Sequence, residues 1–411
     1  MTHHPEKKSM RSSMSNHAAP YLKPGKIGSL TLNNRLVRAA TSESMATADG
    51  VATDALVRLY GDLAKGGTGL IITGHIYVEP RGQYTPNQPG LHHDRMVEPL
   101  ARATRAVHDH GGKIFAELGH AGSQSLIPGI IAIAPSVVPN AIFDREPQAM
   151  SVADIEEVVA AFGSAARRAI ESGFDGIHIH GGNGYLISEF SSPHTNLRTD
   201  EWGGDAERRG RFMLAIYDAV RSAIGPKVPI TARIGVADAV AGGLQVCESV
   251  QRAKQLKSRG INGFEATYGV MNSYLENVRP YVAVGMVRAL ISGLIPRLWT
   301  PAGPEAYYRE FARTIRSATN LPVILVGGIR TTQIMSDVIA SGDADFLAMA
   351  RPFLREPGLA RELAAGRTGM VDCVSCNICL MHDGIDPVRC WRKKPIDLAF
   401  HLYCRLWRDR N

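Results

Sequence analysis

The stretch SVADIEEVVAAFGSAARRAIESGFDGIHIHGG, residues 151–182, carries the pattern that decides the fold. Ser151 stands as an N-cap with an acid near the third helical position, and helical spacing runs on to Gly173. A short strand follows, GIHIHG (176–181), in which apolar and polar residues alternate. The same rhythm runs the length of the chain. Strand candidates are LVRAAT (36–41), GLIITGHIYV (69–78), KIFAELGH (113–120), GIHIHG (176–181), PITARIG (229–235), GFEATYG (263–269), PVILVGGI (322–329) and DFLAMARPF (345–353). Between them lie helical stretches such as DALVRLYGDLAKGG, MVEPLARATRAVHDHGG, ERRGRFMLAIYDAVRSAIG and EAYYREFARTIRSATN. Several close on Gly or Asn just before the next strand, which is the usual stop signal. Eight strands alternating with helices argue for a closed parallel (β/α)8 TIM barrel of the α/β class. An open doubly wound sheet would normally carry GxGxxG after its first strand, and LVRAATSES has none.

Composition agrees with one large folded unit. The 411 residues are 45% hydrophobic and 21% charged, which is ordinary for a globular chain. Length alone would suggest two or three domains, but α/β barrels run past about 200 residues as one. No apolar run reaches the ~18 residues that cross a bilayer. The opening MTHHPEKKSMRSSMSNHAAP is polar and lacks the apolar core of a secretory signal, so residues 1–19 read as a disordered leader. The barrel is expected over 20–366, and 367–411 as a cysteine loop with a helical extension. The net charge of +7 gathers at the two ends, as solvated tails do. No basic stripe with interleaved aromatics suggests a nucleic-acid partner. The expectation is a cytoplasmic enzyme of small molecules with no membrane partner; self-association into a homo-oligomer is left open.

In this architecture chemistry gathers where strands end and βα loops begin. Alternation in GIHIHG sends Ile177 and Ile179 toward the helices and His178 and His180 toward the barrel axis. His180 is the last inward residue and reaches the mouth; His178, a layer deeper, reads as a hydrogen-bonded core histidine. The glycines that follow permit an abrupt turn that brings Asn183 and Tyr185 back over the mouth. A His and an Asn donating to one oxygen make an electrophilic clamp, and a Tyr hydroxyl of pKa ~10 is a general acid beside it. The bland alternative is a Gly-rich turn whose polar residues cap the next helix. Other strand ends offer Thr41, Ser42, His75, Glu117, His120 and Arg233. Gly327–Gly328 after the seventh strand and Ala350–Arg351 at the eighth suit a phosphate held by backbone N–H groups and a guanidinium.

Together LNNRLVRAATSE, GGTGLIITGHIYVEPRG, FAELGHAGSQ, GFDGIHIHGGNGYLISEFSSPHTNLRTDEWGGDAERRGRF and PVILVGGIRTTQ…ADFLAMARPFLREP resemble the old yellow enzyme family of FMN-dependent oxidoreductases, in order, over about residues 20 to 365. The resemblance implies FMN across the barrel mouth, reduced by NADH or NADPH and then reducing the activated C=C bond of an unsaturated carbonyl or nitro compound. It assigns His180 and Asn183 to the substrate oxygen and Tyr185 to protonation of Cα after hydride reaches Cβ. It sets Arg233 near flavin N1 and O2, and Ser42 near O4, in the segment Ala40–Thr41–Ser42. Gly327, Gly328, Ala350 and Arg351 match its phosphate pocket, with Ala350 in place of the usual Gly.

Two further residues depart from that family. Glu117 stands where a Gln usually pairs with the flavin pyrimidine; ionised, it disfavours the reduced anion, and burial can instead keep it protonated. His75 stands where a small residue usually lies over the flavin edge. His120 follows the family's motif but parity turns it away, toward a structural role. The cysteine run Cys373, Cys376, Cys379 and Cys390 has C-x2-C-x2-C-x10-C spacing and resembles the [4Fe–4S] loop of the dienoyl-CoA reductase branch. That branch continues into a further FAD- and nicotinamide-binding domain, and this chain stops at Asn411. A loop without metal is therefore the expectation, with a [4Fe–4S] cluster and a zinc site as the alternatives. The long insertion 271–308 reads as a lid, a pocket wall or an oligomer contact. Beside the reductase stand an amine dehydrogenase or N-demethylase on the same fold, a flavin-binding protein without turnover, and a barrel for a phosphorylated sugar. The set His180, Asn183 and Tyr185 favours the first, because it handles an enolate and its proton.

Overall fold

The computed structural model describes residues 19–140, 146–270, 305–382, 384 and 386–407. The leader through residue 18 and the insertion as far as residue 304 lie outside the described residues. The frame is eight strands: β1 (Leu36–Arg38), β2 (Leu70–Ile72), β3 (Ile114–Gly119), β4 (Gly176–Gly181), β5 (Ile230–Ala237), β6 (Gly263–Tyr268), β7 (Val323–Val326) and β8 (Phe346–Met349). Each pairs in parallel with the next, and β8 pairs with β1, so the sheet closes on itself. Helices α1 (Asp54–Lys65), α2 (Val97–His108), α3 (Val152–Glu171), α4 (Ala206–Ile224), α5 (Val246–Ser258), α6 (Arg309–Thr319), α7 (Thr332–Ala340) and α8 (Leu359–Ala364) follow the strands in turn. This is the (β/α)8 barrel read from the sequence.

Local signals account for the element ends. Ser151 accepts from the Asp154 amide while the Asp154 carboxylate accepts from the Ser151 amide, a reciprocal cap that satisfies two otherwise orphaned donors at the start of α3. α4 stops at Gly225, and α6 stops at Asn320 in the left-handed region (φ 55°), a conformation Asn tolerates better than most. Two strands are shorter than their apolar runs. The run 69–78 breaks after Ile72 and resumes only at Ile76–Tyr77, because the Glu43 carboxylate takes the Gly74 amide that a continuous ladder would use. The run 345–353 ends at Met349; Arg351 opens a short helix, Arg351–Arg355, with Pro352 suited to a first turn.

Burial falls into two apolar layers. One joins the outward strand faces to the helices, with Ile177, Ile179, Phe264 and Ala266 among its members. The other fills the lower barrel interior with Val37, Leu70, Ile72, Phe115, Ile324 and Phe346. A hairpin of Gly25–Ile27 and Leu30–Leu32, unforeseen in the sequence reading, adds Ile27 and Leu32 to that inner layer and plugs the amino-terminal end. Truncating Phe115 to Ala would cost about 3–5 kcal/mol, since a barrel interior has little room to collapse. Above the inner layer the axis turns polar: Arg38, Glu117, His178, Thr231, Arg233 and Glu265 are buried there. A plugged floor and a polar upper layer leave the carboxyl end as the face where ligands meet side chains.

Residues after 367 return to the barrel. The Val371 amide donates to Arg330 (2.9 Å) and the Val388 amide to Glu43 (2.8 Å), which lays the cysteine-bearing segment across the mouth. A helix, Pro395–Trp407, ends the described chain. Among the described residues no helix is long and apolar enough to cross a membrane.

Candidate active site

At the carboxyl end of the strands lies a cavity of about 280 Å³, close to the lower limit of small-molecule pockets. It is lined by Ala40, Thr41, Ser42, His75, Glu117, His180, Asn183, Tyr185, Gly327, Gly328, Ala350 and Arg351. Of the residues the sequence offered for the flavin and substrate, Arg233 and His120 do not line this cavity. Arg233 stands behind the wall, where its Nε donates to Glu265 (2.6 Å) and its two terminal nitrogens lie 3.4 Å from His180 Nε2 and 3.5 Å from Glu117 Oε2.

The ladder explains this grouping. Glu117 on β3 is level with His178 on β4, His180 with Arg233 on β5, and Arg233 with Glu265 on β6. Because side chains alternate in or out, a level register delivers all of them to the axis. His178 is the core residue that parity suggested, with Nδ1 2.8 Å from Thr231 Oγ1. His120 points elsewhere: its Nε2 meets Glu79 (2.9 Å), and its Nδ1 accepts from the Gly122 amide.

After β4 the chain turns through Asn183, whose φ of 58° is rare for a residue with a side chain. Its amide donates to the Tyr268 carbonyl and its carbonyl accepts from Gln124 Nε2 (both 3.1 Å), which pins the turn. The Thr267 hydroxyl lies 3.0 Å from Asn183 Oδ1 and donates to it, leaving Nδ2 as the amide's donor end. The Tyr185 ring packs 4.6 Å from the His180 ring and 4.7 Å from the His75 ring. Tyr84 closes the same aromatic group, 5.6 Å from Tyr185.

Charge in the upper barrel is unusually concentrated. Burial, followed by the repulsion of Glu265 and Glu43, pushes the Glu117 carboxyl up to about 8, although Arg233 and Arg38 oppose the rise. Burial and then the Arg233 charge hold His180 and His178 well below the ordinary imidazole value, and the same pair of causes brings His75 to about 3. The histidines are therefore neutral at physiological pH. A guanidinium can only donate, so contact with Arg233 makes His180 Nε2 an acceptor and places the proton on Nδ1. That buried Nδ1 has no partner, nor have His75 Nε2, Glu117 Oε2 and Glu265 Oε2. A second ion pair, Arg38 with Glu43 (2.9 Å), fixes the loops that carry Ser42 and His75: Glu43 also accepts from Tyr60 and the Gly74 amide, and Arg38 donates to the Thr41 carbonyl.

The opposite wall is made of backbone. Gly327 and Gly328 both have positive φ (102° and 75°), and a Cβ on either would lie within 3 Å of the Tyr307 ring. Arg330, Tyr307 and, from the carboxyl-terminal segment, Ser375, Cys379, Leu380 and Val388 complete this side. Arg351 donates to Asn377 in that segment rather than pointing free into the cavity. Sequence reasoning missed Glu265 and Thr267, though alternation in GFEATYG would have turned both inward. Nothing local marked Tyr84, whereas Tyr307 falls in the 271–308 insertion read as a possible pocket wall and Cys379 in the cysteine loop.

FMN fits these features: glycines that admit a phosphate close to the backbone, unpartnered polar atoms at the opposite end, and one cavity joining them. Among the described residues, the group of three metal-capable side chains whose ligand atoms lie within 4.8 Å of one another is His75, Glu117 and His180. The fixed charge of Arg233 beside two of them suits an oxygen or an anion better than a cation. The four loop cysteines sense one another electrostatically: burial first, and then the other three thiols, raise Cys379 to about 12 against the pull of Arg351. As a ligand set, four thiolates suit a tetrahedral zinc. Four gathered thiols also match the ligand count of a [4Fe–4S] cluster, where each sulfur takes its own iron.

Residues 21–369 match the NADH:flavin oxidoreductase / NADH oxidase family. The chain is 34% identical over 360 residues to an NADH oxidase of Thermoanaerobacter brockii, an alignment covering 86% of this chain and 52% of that protein. It is 35% identical to an NADPH dehydrogenase of Geobacillus sp. (strain WCH70), over 81% of this chain and 90% of the relative. An old yellow enzyme homologue from Zymomonas mobilis superimposes with a TM-score of 0.69 at 26% identity, over 87% of this chain and 95% of that one. The chain thus spans nearly the whole of some relatives and about half of others.

Proposed function

The chain belongs to the NADH:flavin oxidoreductase / NADH oxidase family, whose members use FMN and a nicotinamide, and from that premise we propose that it reduces activated C=C bonds of α,β-unsaturated carbonyl or nitro compounds. One observation carries the reading: an unpartnered imidazole nitrogen of His180, the donor end of Asn183 and the Tyr185 ring meet on one side of one cavity. FMN, when bound, supplies a hydride at N5.

The chain's own residues do the rest. His180 Nδ1–H and Asn183 Nδ2–H hold the substrate oxygen and stabilise the negative charge that grows on it, a contribution typically of about 10²–10³ per donor in rate. Neutral His180 is the right state for this role, since it donates without giving up its proton. Tyr185 holds a proton at its hydroxyl and delivers it to the carbon beside the carbonyl. Arg233 sets the His180 tautomer from behind. Gly327, Gly328 and Arg351 would hold the phosphate, with Ala40, Thr41, Ser42 and Glu117 along the ring system. Cys373, Cys376, Cys379 and Cys390 would be the ligands of a [4Fe–4S] cluster, and Cys379 among them lines the cavity.

A second reading takes oxygen as the physiological acceptor, as the name of the Thermoanaerobacter relative suggests. An anaerobic absorbance titration separates the two. NADH or NADPH should bleach the flavin bands and cyclohexenone should restore them, with Tyr185→Phe slowing the restoration by about 10²–10⁴ and leaving the bleaching nearly unchanged. Flavin that only oxygen restores would end the enone reading. A broad shoulder near ~400 nm would report a cluster on the thiolates.

A further inference from the structure

Two carboxyl groups, Glu117 and Glu265, are buried in the upper barrel. Glu117 is 1% exposed and Glu265 fully buried, and each has one carboxylate oxygen without a partner. One guanidinium stands between them and is shared unequally. Arg233 Nε is 2.6 Å from Glu265, a short charge-assisted bond, whereas its approach to Glu117 is 3.5 Å, too long for a good one. Glu265 therefore claims Arg233, and Glu117 is left as a buried carboxyl beside the cavity without a strong cationic partner.

Every other element packed on Glu117 leaves the same picture. From β4, His178 Nε2 lies 3.5 Å away and His180 Nε2 3.8 Å away, both on neutral imidazoles. From β1 and its loop come Arg38 and Glu43, paired with each other at 2.9 Å. His75, from the loop after β2, is neutral as well. The backbone amide of Glu117 is occupied by Thr73. The nearby charges are thus two guanidinia and three carboxyl groups, Glu117 included, so with every carboxyl ionised the cluster carries one net negative charge. A further negative charge in the cavity would make an ionised Glu117 costly in this dry interior.

We propose that, at alkaline pH where Glu117 is ionised beside the oxidised flavin, it takes up one proton from solvent when that flavin is reduced, and that Glu265 enables this by holding Arg233 off Glu117. The inference rests on the FMN reading above. The balance is two electrons and two protons: NADH gives a hydride to FMN, which leaves the reduced flavin as an anion, and Glu117–COO⁻ plus a solvent proton becomes Glu117–COOH. On reoxidation the same proton returns to solvent. Protonated, Glu117 is also a donor, which a carboxylate is not, and it then offers the donor and acceptor pair of the Gln that the family resemblance implies at its position.

The flavin midpoint potential as a function of pH tests this, over about pH 6 to 9. One proton per two electrons gives a slope of about 30 mV per pH unit, and two give about 59 mV. In the wild-type holoprotein a steep segment of about 59 mV per unit is expected between shallower ones. Glu117→Gln should show about 30 mV throughout the same window. Glu265→Gln frees Arg233 to favour ionised Glu117, so its steep segment should move to lower pH. A wild-type slope of about 30 mV at every pH, or a steep segment that survives in Glu117→Gln, overturns the proposal; the second result would assign the proton to the flavin itself. Infrared difference spectra of the wild type at about pH 9, above the range where burial keeps the carboxyl protonated, need no variant: reduction should add the carbonyl stretch of a carboxylic acid, shifted in D2O, and its absence also overturns the claim. Protein that binds no flavin fails at the absorbance step, before any titration, and overturns the FMN reading instead.

Discussion

The two long walls of the cavity are built on opposite principles. On the β3–β6 side, side chains do the recognising: Glu117, His180, Asn183, Arg233 and Thr267 are brought level by strand register and tied to one another. On the β7–β8 side the chain presents backbone at Gly327 and Gly328, and a segment some distance along the sequence folds back to roof it. The first wall handles charge that appears and disappears during turnover, so it needs donors of adjustable protonation. The second holds a group whose charge is constant, which backbone N–H groups can do without titrating.

If this division holds, the largest effect of any substitution should come from the side-chain wall. His180→Ala combined with Asn183→Ala removes both donors to the substrate oxygen. The rate of flavin reoxidation by cyclohexenone in stopped-flow should fall by about 10²–10³ or more. FMN content should stay at the wild-type level, since neither side chain belongs to the phosphate end. Loss of bound flavin in the double variant would mean the two walls are not separable.

The same division decides what could be read in advance. Alternation alone places His178 and His180 inward, because a strand buried on both faces leaves side-chain direction to parity. It would have placed Glu265 and Thr267 equally well. Those two were passed over because the sixth strand ends without a polar cluster such as the one after β4 to draw attention to it. Arg233 supports the wall instead of lining it, since Glu265 on the neighbouring strand draws it back with a 2.6 Å bond. Arg351 illustrates the limit on the other wall: its partner Asn377 belongs to the returning segment, and no periodicity connects positions that far from the barrel pattern. The N-terminal hairpin escaped for a plainer reason, as its strands of three residues are too short to show a period.

Gly328→Ala tests the backbone wall. Gly328 sits at φ 75°, and a Cβ there would lie 2.8 Å from the Tyr307 ring, so either the turn or the ring must shift. Strain of about 1–3 kcal/mol is expected, enough to weaken FMN about ten- to a hundredfold when followed by recovery of flavin fluorescence on dilution. Gly342→Ala is the matched control. It has nearly the same φ (73°) and nothing within 4 Å of its Cβ position, so it should lower thermal stability slightly and leave FMN affinity alone. Equal FMN loss in both variants would make the effect one of general stability.

The smallest effect expected is also the most specific. Thr267 reaches the substrate pair only through Asn183, by donating to Oδ1 at 3.0 Å. Oδ1 is the nearest acceptor to the hydroxyl, ahead of the carbonyls of Tyr268 (3.1 Å) and Ile234 (3.5 Å). Thr267→Val keeps the shape and removes the donor, and the Asn183 amide then loses what distinguishes its two ends. A loss of about 1 kcal/mol, roughly fivefold, is expected in the affinity for a carbonyl ligand, read from the shift of the flavin spectrum on titration. Thr267→Ser should restore it, because the hydroxyl returns without the methyl. Flavin potential and content should not move in either variant, since Asn183 meets the substrate side of the cavity. A Val variant that binds the ligand as well as the wild type would show that the turn itself, pinned by Tyr268 and Gln124, orients the amide without help.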